Sequence, residues 1–455
     1  MIPLSNKHLL GLVALSLATT TATAQSLLSQ YGETVLAVGD NAPGIPGATI
    51  FATSNFDAPL LDQNGTLVFR ARLTGAVTAL DDRAYFLGRA NGDLQSVVRG
   101  GDPAPGLPGI FLRSATSTVG LSGQPRISAY GEILYFQSTI SDAPGGSTVT
   151  SANDTAQFWG PVGGLTLLAR EGDTVPFVAV NPPAYGNLSF TAANNTMNES
   201  GNVLFATQLV GGDVTIGTND YAVVTGTPGS LQIVVRKGDT LPGGEVVVPV
   251  SGSTVLSFIY QINAAGQVLH EMKFAAGPGG VGINNDRALA VWTPGMGDTI
   301  IAREGQQAPG LPTGVLFQDT VSSPGWSPGL SSNSFNRFGS TAFTTVLEGG
   351  GAVAGVDGFA VYYGGPLSGL TPVFRQGDPA PGLPGVTWGV AANASVQCND
   401  AGDVCCVAFL GGAATTADDS CLVVGSFANP GIVAREGDLV PGMAATVNGP
   451  WRYGP

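Results

Sequence analysis

Residues 97–109 read VVRGGDPAPGLPG and residues 373–385 read VFRQGDPAPGLPG, nearly one phrase set far apart in one chain. Weaker copies read LAVGDNAPGIPG, LAREGDTVP, VVRKGDTLPGG, IAREGQQAPGLP and VAREGDLVPG. Anchored on Asp40, Asp102, Asp173, Asp239, Gln306, Asp378 and Asp438, the copies are separated by 62, 71, 66, 67, 72 and 60 residues. A period of that size marks a tandem array of supersecondary units, none of which can bury its apolar face alone.

The chain is long enough for two or three separate domains, but the repeat points instead to one tandem-repeat domain. Charged residues make up 11% and hydrophobic ones 43%, a balance that excludes a disordered polyampholyte. The 67 glycines and 31 prolines interrupt nearly every stretch long enough for a helix. What lies between them is short and rich in Val, Ile, Thr, Phe and Tyr, so it reads as strands.

The first residues, MIPLSNKHLLGLVALSLATTTATAQS, carry one lysine, an apolar run and an Ala-Thr-Ala triplet before Gln25. This is the pattern of a signal peptide over residues 1–24, leaving 25–455 as the exported domain. Export to the extracellular space, the cell surface or the periplasm follows, and no later segment is apolar enough for a membrane-spanning helix. A net formal charge of −14 argues against nucleic acid as a partner.

Three signatures recur in fixed order. A strand and a tight turn come first, in DQNGTLVF, SAYGEILYF, NESGNVLF, NAAGQVLH, NRFGSTAF and NDAGDVCC, with the turn glycines at 65, 131, 201, 266, 339 and 402. Asn or Asp starts such a turn by bonding its own backbone, and Gly ends it in the left-handed region, so each is a hairpin. A second signature sets an aspartate before a short strand, at Asp82, Asp154, Asp220, Asp286, Asp357 and Asp419. The last strand ends in Arg-x-Gly-Asp at Arg99, Arg170, Arg236, Arg303, Arg375 and Arg435.

On these residues the chain resembles the bacterial exported tandem-repeat proteins named for an NxxGxxAF repeat and for varied C-terminal anchors. NRFGSTAF at 336–343 matches that motif in full, and NESGNVLF at 198–205 departs only at Leu204. Asp62 and Ser128 replace the Asn in the first two copies, and His270 and Cys406 replace the aromatic residue in the fourth and sixth. The resemblance spans essentially the whole exported chain and implies secretion or surface attachment. It brings no activity with it. The end of the sequence, VNGPWRYGP, lacks the apolar helix and basic tail of such an anchor.

Units of four antiparallel strands at this period predict an all-β fold, a β-propeller with six blades, the alternative being a seven-bladed or incomplete ring. The repeated phrase then ends one blade's outermost strand and enters the next blade. Gly supplies the torsion, Pro the stiffness, and Arg and Asp three residues apart can pair or bond nearby backbone. Structural roles are therefore expected for Arg99, Asp102, Arg170, Asp173, Arg236, Asp239, Arg375, Asp378, Arg435 and Asp438. The aspartates of the second signature cap their turns or, as the sharper reading, bind calcium or a cationic ligand weakly on the crossover face.

Cys398, Cys405, Cys406 and Cys421 all lie in the last repeat. Export favours disulfides over a metal site, and neighbours Cys405 and Cys406 are expected to pair outward with Cys398 and Cys421. Catalytic residues are scarce. His270 takes an aromatic position and is read as packing. GWSPG at 325–329 formally fits a nucleophile elbow but sits among glycines and prolines. The favoured function is a non-enzymatic exported scaffold for binding or adhesion to an unnamed extracellular ligand or surface component. A purely structural envelope component comes second. A propeller-type carboxylate hydrolase comes third.

Overall fold

The computed structural model describes residues 36–440 apart from 51–58, 90–92, 114–120, 122–124, 144–145, 189–195, 251–255, 257–259, 319–325, 329–333 and 392–395. The expected leader at 1–24 lies outside them. Within the described residues the only helical element is a 3-10 turn, Pro278–Gly280. Everything else regular is strand.

Six antiparallel sheets follow one plan. In the first, Ala48–Ile50 and Leu60–Leu61 both pair with the long strand Leu67–Gly75, which pairs with Arg83–Gly88, and that with Gln95–Arg99. The first strand of the four is therefore in two pieces. The same plan returns on the long strands Leu134–Asp142, Val203–Val210, Val268–Phe274, Thr341–Glu348 and Asp403–Gly412. This is a propeller-like all-β fold. The residues divide into two compact units, Met1–Ile233 and Val234–Pro455, the boundary falling within the strand Gln232–Arg236.

In the first, second and fifth sheets the long strand lies inside its sheet with side chains buried on both faces: Leu67 to Phe69 are covered, as are Leu134 to Ile140 and Ala342 to Thr345. Stacked aromatic pairs cross from the long strand to the third, Phe69 on Phe86, Phe136 on Phe158 and Phe343 on Tyr362. In five sheets a one-residue irregularity interrupts the pairing of the third and fourth strands, at Tyr85/Phe86, Leu167/Ala169, Leu289/Ala290, Val361/Tyr362 and Leu422/Val423. Such bulges sharpen local twist.

The NxxG hairpins form as the sequence specifies. Asn198 Oδ1 accepts from the backbone N–H of Ser200 and Asn202, Asn336 from Phe338 and Ser340, and Asn399 from Ala401 and Asp403. Asp62 does the same for Asn64 and Thr66. Gly339 has φ +79°, and the five equivalent glycines are also left-handed. The second copy is one residue longer: Ser128 N bonds to Ile133 O, and its hydroxyl accepts from Ile133 N.

The cysteine expectation needs correcting. Cys398, Cys405, Cys406 and Cys421 are all free thiols. Cys398 pairs in register with Val404, Cys406 with Val423 and Cys421 with Ala408, so these three share the buried face of the sixth sheet. Cys405 alone points the other way, and so has no partner on its own face. Burial pushes the Cys398 and Cys406 thiols up to about 12 and Cys421 to about 11, which makes them inert as nucleophiles.

Candidate functional site

The repeated phrase closes a turn in which every part has a separate task. The strand Gln95–Arg99 ends, and Asp102 Oδ2 accepts from Arg99 N at 2.7 Å while Asp102 N donates to Arg99 O. Gly101 N then donates to Leu112 O, and Leu112 N to Asp102 O, which bolts the turn to the first strand of the next sheet. Gly377 and Asp378 make the same two bonds with Trp388, Gly238 and Asp239 with Val247, and Gly172 and Asp173 with Tyr185. Gly305 and Gln306 make the same two backbone bonds with Phe317 in the fourth repeat. Asp438 N likewise donates to Arg435 O.

Arg99, Arg375 and Arg435 each pair with a carboxylate other than the Asp of their own phrase. The arginine reaches back to the second residue before the third strand: Arg99 to Asp81, Arg375 to Asp357 and Arg435 to Asp418, each through the carbonyl and the carboxylate. Arg170 and Arg303 take only the carbonyls of Asn153 and Asn285, and Arg303 also bonds Glu245 at 2.6 Å. Arg236 is buried. This contact ties the crossover to the loop between the second and third strands, so both emerge at one end of each sheet.

Asp357 is thus not the equivalent of the other second-signature aspartates. The long strands bond the carbonyls of Asp82, Asp154, Asp220, Asp286 and Asp419, but in the fifth repeat Leu347 N bonds Gly358 O. Asp357 stands one place earlier, with Asp81 and Asp418. The others face different partners. Asp82 is paired with Arg72 at 2.9 Å, Asp286 lies 3.8 Å from Lys273, and buried Asp220 accepts from Gly217 N. Asp419 is half-buried.

Asp154 is the exception, because it meets another carboxyl. Glu171, the x of its Arg-x-Gly-Asp, is pushed up to about 7 by burial, by the charge of Asp154 and by a hydrogen bond with it, bonds from Thr155 pulling the other way. A carboxyl held beside the charge of a second one and partly buried is raised in this way. Burial also raises Asp102, Asp173 and Asp239, against the pull of their arginines.

Sequence reasoning missed a second cluster, in the fourth sheet. His270 has no exposed surface, and its Nε2 lies 2.7 Å from Asp298 Oδ1, reached across the strand Arg287–Thr293. Opposite His270 stands Ala290, where the first, second and fifth sheets carry a ring, and the small side chain leaves the path open. Buried Glu271 bonds Arg287 at 2.7 Å on the other face. Because a carboxylate only accepts, Nε2 carries the proton, and Nδ1 has no partner among the described residues. The signal was available in VLHEMKF and NNDRALAVW, one charged repeat among apolar ones.

Among the described residues no group of three or more His, Cys, Asp or Glu is placed to hold a metal ion, and no helix is long and apolar enough to cross a membrane. Of GWSPG, only Trp326–Pro328 is described, as a strand paired with Thr341–Glu348. No curated protein matches the chain. Among solved structures it is similar to an oligogalacturonate lyase in complex with manganese, at 12% identity and TM-score 0.34 over 90% of this chain and 88% of that one. It is also similar to prolyl oligopeptidase B from Galerina marginata, at 10% and 0.38 over 93% and 47%, and so spans about half of that enzyme. A PL25 ulvan lyase stands at 9% and 0.29 over 90% and 86%. Residues 14–124 and 113–449 match the model of a family of unknown function, DUF7453, and the chain belongs to that family.

Proposed function

We propose that this protein is a non-enzymatic repeat scaffold that binds a ligand, or adheres, through the loops at the crossover end of its sheets. The observation that carries the reading is a division of labour at that end. The charged residues that recur there are spent on turns and on one another, whereas the loops between second and third strands differ in length and present bare aliphatic side chains. Leu80 is 53% exposed, Ile216 82%, Ile283 64% and Val356 60%. Variable loops held by a rigid sheet are the usual place for specificity. The signal-like leader and the NxxGxxAF likeness support an exported location, and one six-bladed domain over 25–455 is the architecture this reading assumes.

Asp154 and Glu171 are the one observation that favours the hydrolase reading. Yet carboxyl groups that share a hydrogen bond stand closer than the roughly 5 to 9 Å that glycoside cleavage needs between them. Calcium has the same obstacle elsewhere: at Asp82, Asp286 and Asp357 a protein cation already faces the carboxylate. A glycan array and calcium calorimetry on the exported protein test the proposal, with Ile216→Asp and Ile283→Asp as variants. Binding that the variants lose while keeping wild-type unfolding curves is expected. Turnover of a bound glycan, or binding indifferent to both loops, overturns it.

A further inference from the structure

The sixth sheet shows one face that its counterparts do not. Its inner face carries Val404, Cys406, Ala408, Leu410, Cys421 and Val423 into a core shared with the fifth sheet. The opposite face carries Cys405 across from Val424 and Val407 across from Leu422, with Phe409 and Val433 beside them. Val407 is 37% exposed, Phe409 44%, Leu422 37%, Val424 38% and Val433 59%. Such a contiguous apolar strip marks a contact surface.

Position by position, the same face of other sheets is covered, and in each case by the residues that follow the repeated phrase. In the fifth sheet Ala342 stands across from Tyr363 and Thr344 across from Val361, and Ala380, Val386 and Trp388 join that core, Phe374 stacking on Trp388 at 4.6 Å. In the fourth, Leu269 and Leu289 are covered by Ala308, Val315 and Phe317. In the first, Val68 and Tyr85 are covered by Ala104, Ile110 and Leu112. In the second, Tyr135 and Leu168 are covered by Val175, Tyr185 and Leu188. The phrase occurs once more after the sixth sheet, closing its turn through Asp438 N to Arg435 O.

We propose that the exposed face of the sixth sheet is covered by this chain's own residues 441–455, PGMAATVNGPWRYGP. The placement follows from the repeat: with Asp438 aligned on Asp378, the segment begins where Pro381–Trp388 begins in the fifth sheet. Its composition suits the task, with Met443, Val447, Trp451 and Tyr453 against a single charged side chain, Arg452. Its length suffices as well. Extended, such a segment spans about 50 Å, and four strands about 4.8 Å apart make a face under 20 Å wide.

The test is photocrosslinking of the full chain at sub-micromolar concentration with p-benzoylphenylalanine in place of Val424, followed by peptide mapping. Adducts on peptides from 441–455 of the same molecule are expected. Adducts between two copies, adducts on residues 25–35, or no protein adduct overturn the proposal. Cys405 supplies an independent readout on an unlabelled chain. Its alkylation should quicken at least tenfold in Trp451→Ser and in a chain stopped after Val440, while the buried Cys398, Cys406 and Cys421 stay slow. Unchanged Cys405 rates in a folded Trp451→Ser also overturn it.

Discussion

Replacing Glu171 with Gln should make the protein more stable above neutrality and leave it unchanged in acid. The reasoning starts from the raised carboxyl. Unfolded, Glu171 ionises near its ordinary value of 4.5; folded, it holds its proton to about 7. Below 4.5 both states are protonated and the fold bears no cost. Between the two values the unfolded chain gives up a proton that the folded chain keeps, so stability falls as pH rises, and above about 7 the full cost is present. At about 1.36 kcal/mol per pH unit the interval is worth at most about 3 kcal/mol. Glu171 is only half-buried, and solvent screening reduces this to about 1 kcal/mol. Glutamine keeps a donor toward Asp154 and cannot ionise. Urea unfolding of wild type and Glu171→Gln from pH 4 to pH 8.5 measures the difference directly. Asp102, Asp173 and Asp239, which shift the same way, and Asp142, Asp418 and Glu245, which shift oppositely, cancel from that difference. Equal offsets at both pH extremes, or a variant weaker at pH 8, would refute the raised Glu171 carboxyl.

Gly339→Val should cost about 1–3 kcal/mol, since φ is +79° and a Cβ would sit 2.8 Å from Gln267 Oε1. Gly65→Val, at the same φ with nothing within 4 Å, should cost less, and equal thermal midpoints for both variants would mean strain alone decides. Intact mass spectrometry of unreduced, denatured and alkylated protein should count four thiols; two or none would restore the disulfides. His270→Phe should lose about 1–3 kcal/mol by leaving Asp298 beside an apolar ring. Adding Asp298→Leu should recover most of it, because replacing both partners of a buried hydrogen bond by apolar groups is often nearly neutral, and chemical unfolding of the two variants checks the recovery.

The sheets were legible because the period that sets them is written in residues with narrow torsional demands. The turns of Asn198 and Asn336 and the phrase around Asp102 and Asp378 each fix a local shape whatever surrounds it. What stayed hidden depends on contacts between strands. Asp357 was placed one residue out of register because VDGFAVYY offers a single aspartate, and only the bond from Leu347 to Gly358 tells which position it fills. The cysteines were read from compartment and spacing, but pairing depends on which face each side chain takes, and register puts three of them together and Cys405 apart. Glu171 and Asp154 are seventeen positions apart in sequence; they meet only because Glu171 N bonds Thr155 O.

The NxxG turns carry a further consequence for how the repeats cohere. Asn336 spends its Oδ1 inside its own hairpin and its Nδ2 outside it, donating to Asn399 O at 3.1 Å and to Tyr363 Oη at 3.2 Å. Asn263 in turn donates to Asn336 O at 2.8 Å. One amide therefore closes a turn and grips the next repeat's turn, so the local and the neighbouring contact cannot be lost separately. In the first unit the bridge is made of other groups: Gln63 N to Ala129 O, Ala129 N to Glu199 O, and the Trp159 indole to Gly201 O at 2.7 Å. Asp62 and Ser128 stand there in place of Asn, and neither has an amide to extend. The backbone takes over the link where the side chain lacks the amide, which explains why a carboxylate or a hydroxyl is tolerated in the first two copies. In a stacked array, stability is set by such nearest-neighbour terms as much as by the repeats themselves. Asp at 336 would keep the acceptor that closes the turn and lose only the donor that couples it onward, separating the two terms that asparagine combines.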